Sequence, residues 1–316
     1  MGPEILLAAK LPPEHAAAIE KEFTVHRLLE ADDRDAFLRQ VGPSVRGVVT
    51  SGVRGFDKAL LDALPLCEIV SVWGAGLQAL DLNAARARGI AVTNTPDDSK
   101  IAVAELGMAL LLAAARWVPD GDRFVRDGRW ASESYSRLGT GLAGKTCGIV
   151  ALGTIGRAVA ARAAAFDMRV AYFGPRKKDD VAYRYYADVK ALAVDSDFLV
   201  LCCPETEETR GLIDADVLAA LGAGGILVNV ARGKVVEEAA LTEALGAGTI
   251  RAAALDVFAN EPEVPEALRR SERLVAVPHI GTQIEDVREK RKRLTVENLK
   301  AYFAGEPLPG PVHVPG

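Results

Sequence analysis

The chain has 316 residues, enough for about two domains of ~150 residues each. Apolar residues make up 49% and charged residues 26%, the balance of a soluble globular protein rather than a disordered or fibrous one. The formal charge of −5 gives no reason to expect nucleic acid as a partner, and the longest apolar run, 101–118, carries Glu105 and Arg116 and reads as a buried helix rather than a membrane span.

The first residues, MGPEILLAAKLPPEHAAAIEKEF, place Glu4 and Lys10 early and lack a long apolar core, so they do not read as a signal peptide. Four cysteines, Cys67, Cys147, Cys202 and Cys203, lack metal-ligand spacing, and no metal site is expected. Three of them fall in apolar, strand-like runs, which predicts buried free thiols in a reducing compartment such as the cytoplasm.

In chain order, predicted strands at 5–9, 45–51, 67–72 and 90–93 alternate with helical patterns at 14–22, 35–41, 58–64 and 82–88. A long helix over 103–117 joins this part to a second one. There, strands are predicted at 146–150, 169–173, 198–202, 226–230, 252–255 and 274–277, with helices at 155–165, 216–221, 238–245 and finally 284–303. Strands alternating with helices predict an α/β protein with two doubly wound parallel sheets and a cleft between them.

In such sheets ligands sit beyond the carboxyl ends of the strands, so the residues after each strand carry the argument. The stretch GIVALGTIGRA, 148–158, nearly matches the dinucleotide turn G-x-G-x-x-G. Gly153 and Gly156 are kept, and Ala151 stands in the first position. The second glycine lets backbone approach a pyrophosphate, the third lets helix pack on strand, and the first serves only the turn, where alanine suffices if its φ is negative. Thr154 and Ile155 then open a helix whose free N–H groups suit phosphate.

After the next strand, YFGPRKKDD has Gly174 where an NAD site usually carries an acid for the ribose 2′-hydroxyl. Arg176, Lys177 and Lys178 follow. Loss of the acid and gain of cations favours a 2′-phosphate, hence NADP (NADPH) over NAD. The alternative is a merely solvated basic turn.

Of four histidines, His15 falls in the first helix, His26 near the second strand and His313 in a Pro-rich tail. Only His279, in RLVAVPHIG, follows a buried-type strand at its ligand end. ILVNVARGKVV places Arg232 after another strand, and AALDVFANEPEVP places Asp256 and Glu261 after a third. An arginine fork suits a carboxylate, and an acid beside a histidine fixes its tautomer as a proton donor. Taken singly, each has a plainer reading: a surface arginine, a solvated acid, a structural histidine.

The ordered set NVARG, DVFANEP and PHIG behind GIVALGTIG resembles the D-isomer-specific 2-hydroxyacid dehydrogenase family over nearly the whole chain, including GIAVTNTPD and VAELGMALLLAAAR. Within it, YFGPRKK, YRYYADV and CCPETEETRGLID resemble the NADPH-preferring glyoxylate/hydroxypyruvate and hydroxyphenylpyruvate reductase branch. The resemblance implies that Arg232 holds the substrate carboxylate, His279 donates the proton and Glu261 pairs with it. It implies that Asp256 faces the nicotinamide carboxamide, and that Gly153, Thr154, Ile155, Gly156, Cys203, Pro204, Thr209, Val230, Ala231 and Gly281 line the cofactor site. Backbone amides of Ala75 and Gly76, in SVWGAGLQALD, would complete the carboxylate site. By the same resemblance, residues 1–96 plus 281–316 form a discontinuous substrate-binding domain and 97–280 a dinucleotide-binding Rossmann domain.

The implied activity is reduction of a small 2-oxo acid, such as glyoxylate or hydroxypyruvate, to the D-2-hydroxy acid, by a homodimer with no nucleic-acid or membrane partner. The other class left open is a dinucleotide-sensing, corepressor-like regulatory protein on the same fold. Such proteins tend to carry extended tails, whereas this chain ends soon after its last predicted helix. Four departures from the family pattern stand out: Ala151, Gln78 for a common Asp, Trp73 beside the substrate loop, and Thr282–Gln283 for a usual Ser-Ala. Trp130 and Tyr135, in RWASESYSRLG, are candidates to reach a neighbouring subunit's site, or are ordinary surface aromatics.

Overall fold

The computed structural model describes residues 2–52, 54–77, 79–95 and 99–312. Gln78 and His313, both singled out in the sequence, lie outside the described residues. The chain divides into two compact units, Met1–Asp98 with Ile284–Gly316 and Ser99–Gln283.

The first unit holds β1 (Glu4–Leu7), α1 (Pro13–Glu20), β2 (Thr24–Arg27), α2 (Arg34–Val41), β3 (Val45–Ser51), α3 (Lys58–Asp62), β4 (Ile69–Trp73), α4 (Leu82–Ala87) and β5 (Ala91–Asn94). The second holds α5 (Ser99–Ala115), α6 (Val118–Arg126), β6 (Thr146–Val150), α7 (Thr154–Ala165), β7 (Arg169–Phe173), β8 (Arg184–Tyr186), α8 (Val189–Val194), β9 (Phe198–Leu201), α9 (Ala215–Leu221), β10 (Ile226–Asn229), α10 (Glu238–Ala247), β11 (Ala252–Leu255), α11 (Glu266–Arg269) and β12 (Leu274–Ala276). The last helix, α12 (Glu285–Ala304), belongs to the first unit.

Both sheets are wholly parallel. The first runs β2-β1-β3-β4-β5 and the second β12-β11-β10-β9-β6-β7-β8. Helices cover both faces of each, which is why the central strands are nearly continuous apolar runs. In the second unit Val150, Leu199, Leu227 and Ala253 pack on the side of α8–α10, while Ile149, Val200, Val228 and Ala254 pack on the side of α5 and α7. In the first, Val48, Val70 and Val92 face one core, and Ile5, Val49 and Ile69 join Leu299 of α12 in the other. Strand order reverses at β6, which pairs β7 on one side and β9 on the other, and this opens a crevice at the carboxyl end of β6.

Every predicted strand is present, with ends shifted by at most a few residues. β2 and β8 were not predicted. Both are short, half-exposed edge strands, TVHR and RYY, with no buried apolar run to announce them. The helix expected over 103–117 starts at Ser99 and stops at Ala115, because Trp117 adopts φ 53, a left-handed conformation that ends a helix. A separate helix, α6, follows it. Cys67, Cys147 and Cys203 are buried, and Cys202 is half-buried. Burial pushes the thiols of Cys67 and Cys203 up to about 11 and that of Cys147 to about 12. Among the described residues no single helix is long and apolar enough to cross a membrane.

Candidate active site

The turn after β6 departs from expectation at its first residue. Ala151 has φ +74, not the negative φ that would let alanine replace glycine without strain. Its N–H is tied to the Phe173 carbonyl at 2.9 Å, which holds the turn in place. Gly156 explains why the helix sits so close. A Cβ there would lie 2.2 Å from the Ala151 carbonyl oxygen. At Gly153 a Cβ would meet no protein atom, so this backbone stays open on its outer side. Gly153 begins α7 with no side-chain cap, leaving the first N–H groups of a 12-residue helix, at Thr154 and Ile155, without a side-chain acceptor. An uncapped helix start, an open glycine and the crevice at β6 together fit a pyrophosphate.

The basic turn after β7 is held by two tyrosines. Tyr172 accepts the Lys178 N–H at 2.6 Å, and Tyr185 donates to the Gly174 carbonyl at 3.1 Å. Asp180 is taken up by Arg157 at 3.0 Å, which holds its carboxyl below the usual range. Arg176 and Lys177 are exposed, and among the described residues no side chain pairs with them. After β9, Cys203 is buried, and Thr209 closes the loop by donating to the Pro204 carbonyl at 2.7 Å and accepting the Thr206 N–H at 2.8 Å.

Three strand ends then converge. At the end of β10, Asn229 is buried and clamps the next residues. Its Oδ1 accepts the Ala231 N–H at 2.9 Å, and its Nδ2 donates to the Arg232 carbonyl at 3.0 Å. Val230 and Ala231 are buried, while half-buried Arg232 donates to the Ala231 carbonyl at 2.7 Å. Gly233 is required here, because a Cβ would fall 1.9 Å from the Phe258 carbonyl carbon. The arginine loop thus lies directly on the backbone of Phe258. The Phe258 N–H in turn donates to Oε1 of Glu261 at 3.0 Å, and Oε2 of Glu261 meets Nδ1 of His279 at 2.7 Å.

The His279 turn is fixed from below by Asp256, which is 2% exposed. Its two oxygens accept the N–H groups of Ile280 at 2.6 Å and Gly281 at 3.0 Å, and its own carbonyl accepts the His279 N–H at 2.9 Å. Burial raises the Asp256 carboxyl above its ordinary range, against the lowering effect of these N–H groups and of His279. His279 itself has φ +52. Glu261 holds Nδ1, so Nε2 points away from the pair on a side chain 42% exposed. That nitrogen is placed to give or take a proton, in a tautomer set by the carboxylate.

The sequence named Arg232, Glu261, His279 and Asp256. It did not name Asn229 as the clamp, although Asn229 opens the motif NVARG, where a buried amide between a strand and an arginine was the available signal. Nor did it foresee that both Asp256 oxygens hold the PHIG turn.

In the first unit, Ala75 and Gly76 follow β4 in a loop pinned by Thr95, whose Oγ1 accepts the Gly74 N–H at 2.8 Å, and by Asn94, which donates to the Ala75 carbonyl at 3.3 Å. The Ala75 and Gly76 N–H groups donate to no described residue. Trp73 turns its ring onto His15, with centroids 5.5 Å apart and planes at 86°. Among the described residues neither the Trp73 Nε1 nor either His15 nitrogen has a hydrogen-bond partner. Burial lowers the His15 pKa from its ordinary value. In the second unit, Gln283 donates its N–H to the Ile280 carbonyl, and Tyr135 donates to Asp120 at 2.8 Å. Trp130 is exposed.

Comparison with known proteins identifies the family of the chain. The NAD-binding domain of D-isomer specific 2-hydroxyacid dehydrogenases matches residues 108–281. The chain is 42% identical to glyoxylate/hydroxypyruvate reductase A of Arabidopsis thaliana over 294 residues, covering 93% of this chain and 94% of that one. Identity and both coverages are the same for hydroxyphenylpyruvate reductase of Plectranthus scutellarioides. An NADPH-dependent glyoxylate/hydroxypyruvate reductase of Sinorhizobium meliloti, solved with NADP and malonate, superposes with TM-score 0.89 at 38% identity, covering 98% of this chain and 96% of that one. These relatives are reductases, and the regulatory alternative is not favoured. The chain belongs to the D-isomer specific 2-hydroxyacid dehydrogenase family.

Proposed function

We propose that this protein reduces a small 2-oxo acid, glyoxylate or hydroxypyruvate, to the D-2-hydroxy acid with NADPH, in the cytoplasm and as a homodimer. The observation that carries the reading is the His279–Glu261 pair, 2.7 Å apart, with Arg232, which among the described residues has no carboxylate partner, on the adjoining loop. When bound, NADPH supplies the hydride. His279 Nε2 gives its proton to the oxygen of the reduced carbon, and Glu261 steadies the ring and the charge it carries. Arg232 orients the substrate carboxylate through its planar fork and draws negative charge toward the carbonyl.

Arg176 and Lys177, exposed and without a side-chain partner among the described residues, favour a 2′-phosphate. The named relatives support the substrate class and cofactor. Free buried thiols agree with a reducing compartment. A run of exposed apolar side chains, Val118, Val125, Trp130, Tyr135 and Leu138, supports pairing with a second copy.

A panel of 2-oxo acids assayed with NADPH and with NADH tests the reading. Glyoxylate or hydroxypyruvate turned over with NADPH is the expected result. Arg176→Ala should weaken NADPH about tenfold or more, by loss of one charge-assisted contact, and leave NADH unchanged. Equal loss for both cofactors, or a wild-type preference for NADH, contradicts the assignment.

A further inference from the structure

At the edge of the second sheet opposite His279, arginines gather around one tryptophan. Arg251 immediately precedes β11 and Arg273 immediately precedes β12, so both sit at the amino ends of strands. The Arg137 guanidinium stacks 3.7 Å from the centroid of Trp117, and that of Arg251 lies 5.4 Å from it. Beside this stack lies a cavity of about 210 Å³, whose charged walls are Arg123, Arg269, Arg270, Arg273, Asp120 and Glu272.

Some of these charges are already compensated. Arg270 pairs with Glu266 at 2.7 Å, and Asp120 takes Arg137 at 3.6 Å and the Tyr135 hydroxyl at 2.8 Å. The rest are not. Among the described residues the side chains of Arg123 and Arg269 have no hydrogen-bond or ion-pair partner, and the Arg273 guanidinium has only the Arg251 carbonyl at 3.4 Å. Glu272 is the one unpaired carboxylate in the wall. The Nε of Arg251 is buried without any partner among the described residues.

Guanidinium groups cannot shed their charge, and Glu272 can balance at most one of the three, so a bound anion would relieve the repulsion that remains. Their planar forks match the oxygens of a tetrahedral oxyanion. α6, which supplies Arg123, begins at the same cavity, and its N-terminus carries no side-chain cap.

We propose that this cavity is a second anion site, separate from the candidate active site, that takes a phosphate-type oxyanion, either free or as a small monoester. Arg123, Arg269 and Arg273 hold it against the Trp117 wall. The exposed apolar side chains Val118, Val125, Trp130, Tyr135 and Leu138 are not among the lining residues.

The test uses the full chain saturated with NADPH, so that the cofactor's own phosphate contacts are filled. Orthophosphate and, in a second arm, glycerol 2-phosphate are titrated at constant ionic strength, with tryptophan fluorescence and Tm as readouts. A saturable response is expected in the wild-type protein. Arg269→Gln/Arg273→Gln should weaken it roughly tenfold or more, through loss of charge-assisted contacts, with reductase turnover retained as proof of folding. Arg123→Gln, on the exposed surface of α6, provides a milder variant should the double one fail to fold, and it too should weaken binding. Orthophosphate alone binding identifies a free ion, and both probes binding identifies a site open to monoesters. No saturable response in the wild type, or the same response in the folded variants, overturns the proposal.

Discussion

Two turns of the candidate active site hold a non-glycine residue in the left-handed region, Ala151 at φ +74 and His279 at φ +52. They are stabilised in different ways. The His279 turn is locked by side chains: Asp256 takes two of its N–H groups, and Glu261 takes the ring itself. The Ala151 turn is locked by backbone: its N–H meets the Phe173 carbonyl, and its own carbonyl lies where a Cβ on Gly156 would have to go. A left-handed alanine brings nothing that glycine would not. A left-handed histidine brings a ring that must be aimed, so its strain is offset by buried polar contacts dedicated to it.

The comparison predicts a ranked set of responses. Gly156→Ala should be the most damaging. Its Cβ meets backbone at 2.2 Å, so α7 must shift, at a cost of about 1–3 kcal/mol in stability and a marked loss of NADPH affinity. Denaturant unfolding and NADPH titration check it, and unchanged values would mean the helix slides freely.

Asp256→Asn should come next. The amide offers one acceptor to two N–H groups, leaving a buried donor unmet at roughly 1–3 kcal/mol. The effect carries a pH signature. Burial raises the Asp256 pKa above 3.8, so its stabilising contribution is present below the unfolded value and is lost as pH rises through the folded one. The stability gap between wild type and Asp256→Asn should therefore narrow from acid toward neutral pH. A gap that widens would reverse the sign assigned to that carboxyl.

Ala151→Gly should matter least. It relieves a left-handed cost of about 1–2 kcal/mol but adds up to ~1 kcal/mol of unfolded-state entropy, leaving a small net gain in Tm and unchanged NADPH binding. A clear loss of stability would show that the alanine methyl, packed against the core, outweighs its own strain.

These turns also mark how far the sequence could be read. The strands were legible because parallel central strands are continuous apolar runs, and the motif residues were legible because ligands gather at strand ends. The sign of φ at Ala151 was not, since it depends on where Phe173 of β7 and the start of α7 place the turn. Edge strands β2 and β8 were missed for want of a buried face. The helix end near Trp117 was legible, because Pro119 and Gly121 follow it, but the same two residues hid α6, and the stacking of Arg137 and Arg251 on that ring joins segments distant in sequence. Asn229 and Asp256 were visible as residue types in motifs, but their clamping roles are tertiary facts.

In the proposed mechanism the left-handed turn aims His279 as the proton donor. Steady-state reduction of glyoxylate or hydroxypyruvate by wild type and His279→Ala, with NADPH binding measured on the same samples, tests it most directly. Turnover should fall by roughly 10²–10⁴ while NADPH binding is retained, because only the proton donor is gone. Near-normal turnover in His279→Ala would contradict the account.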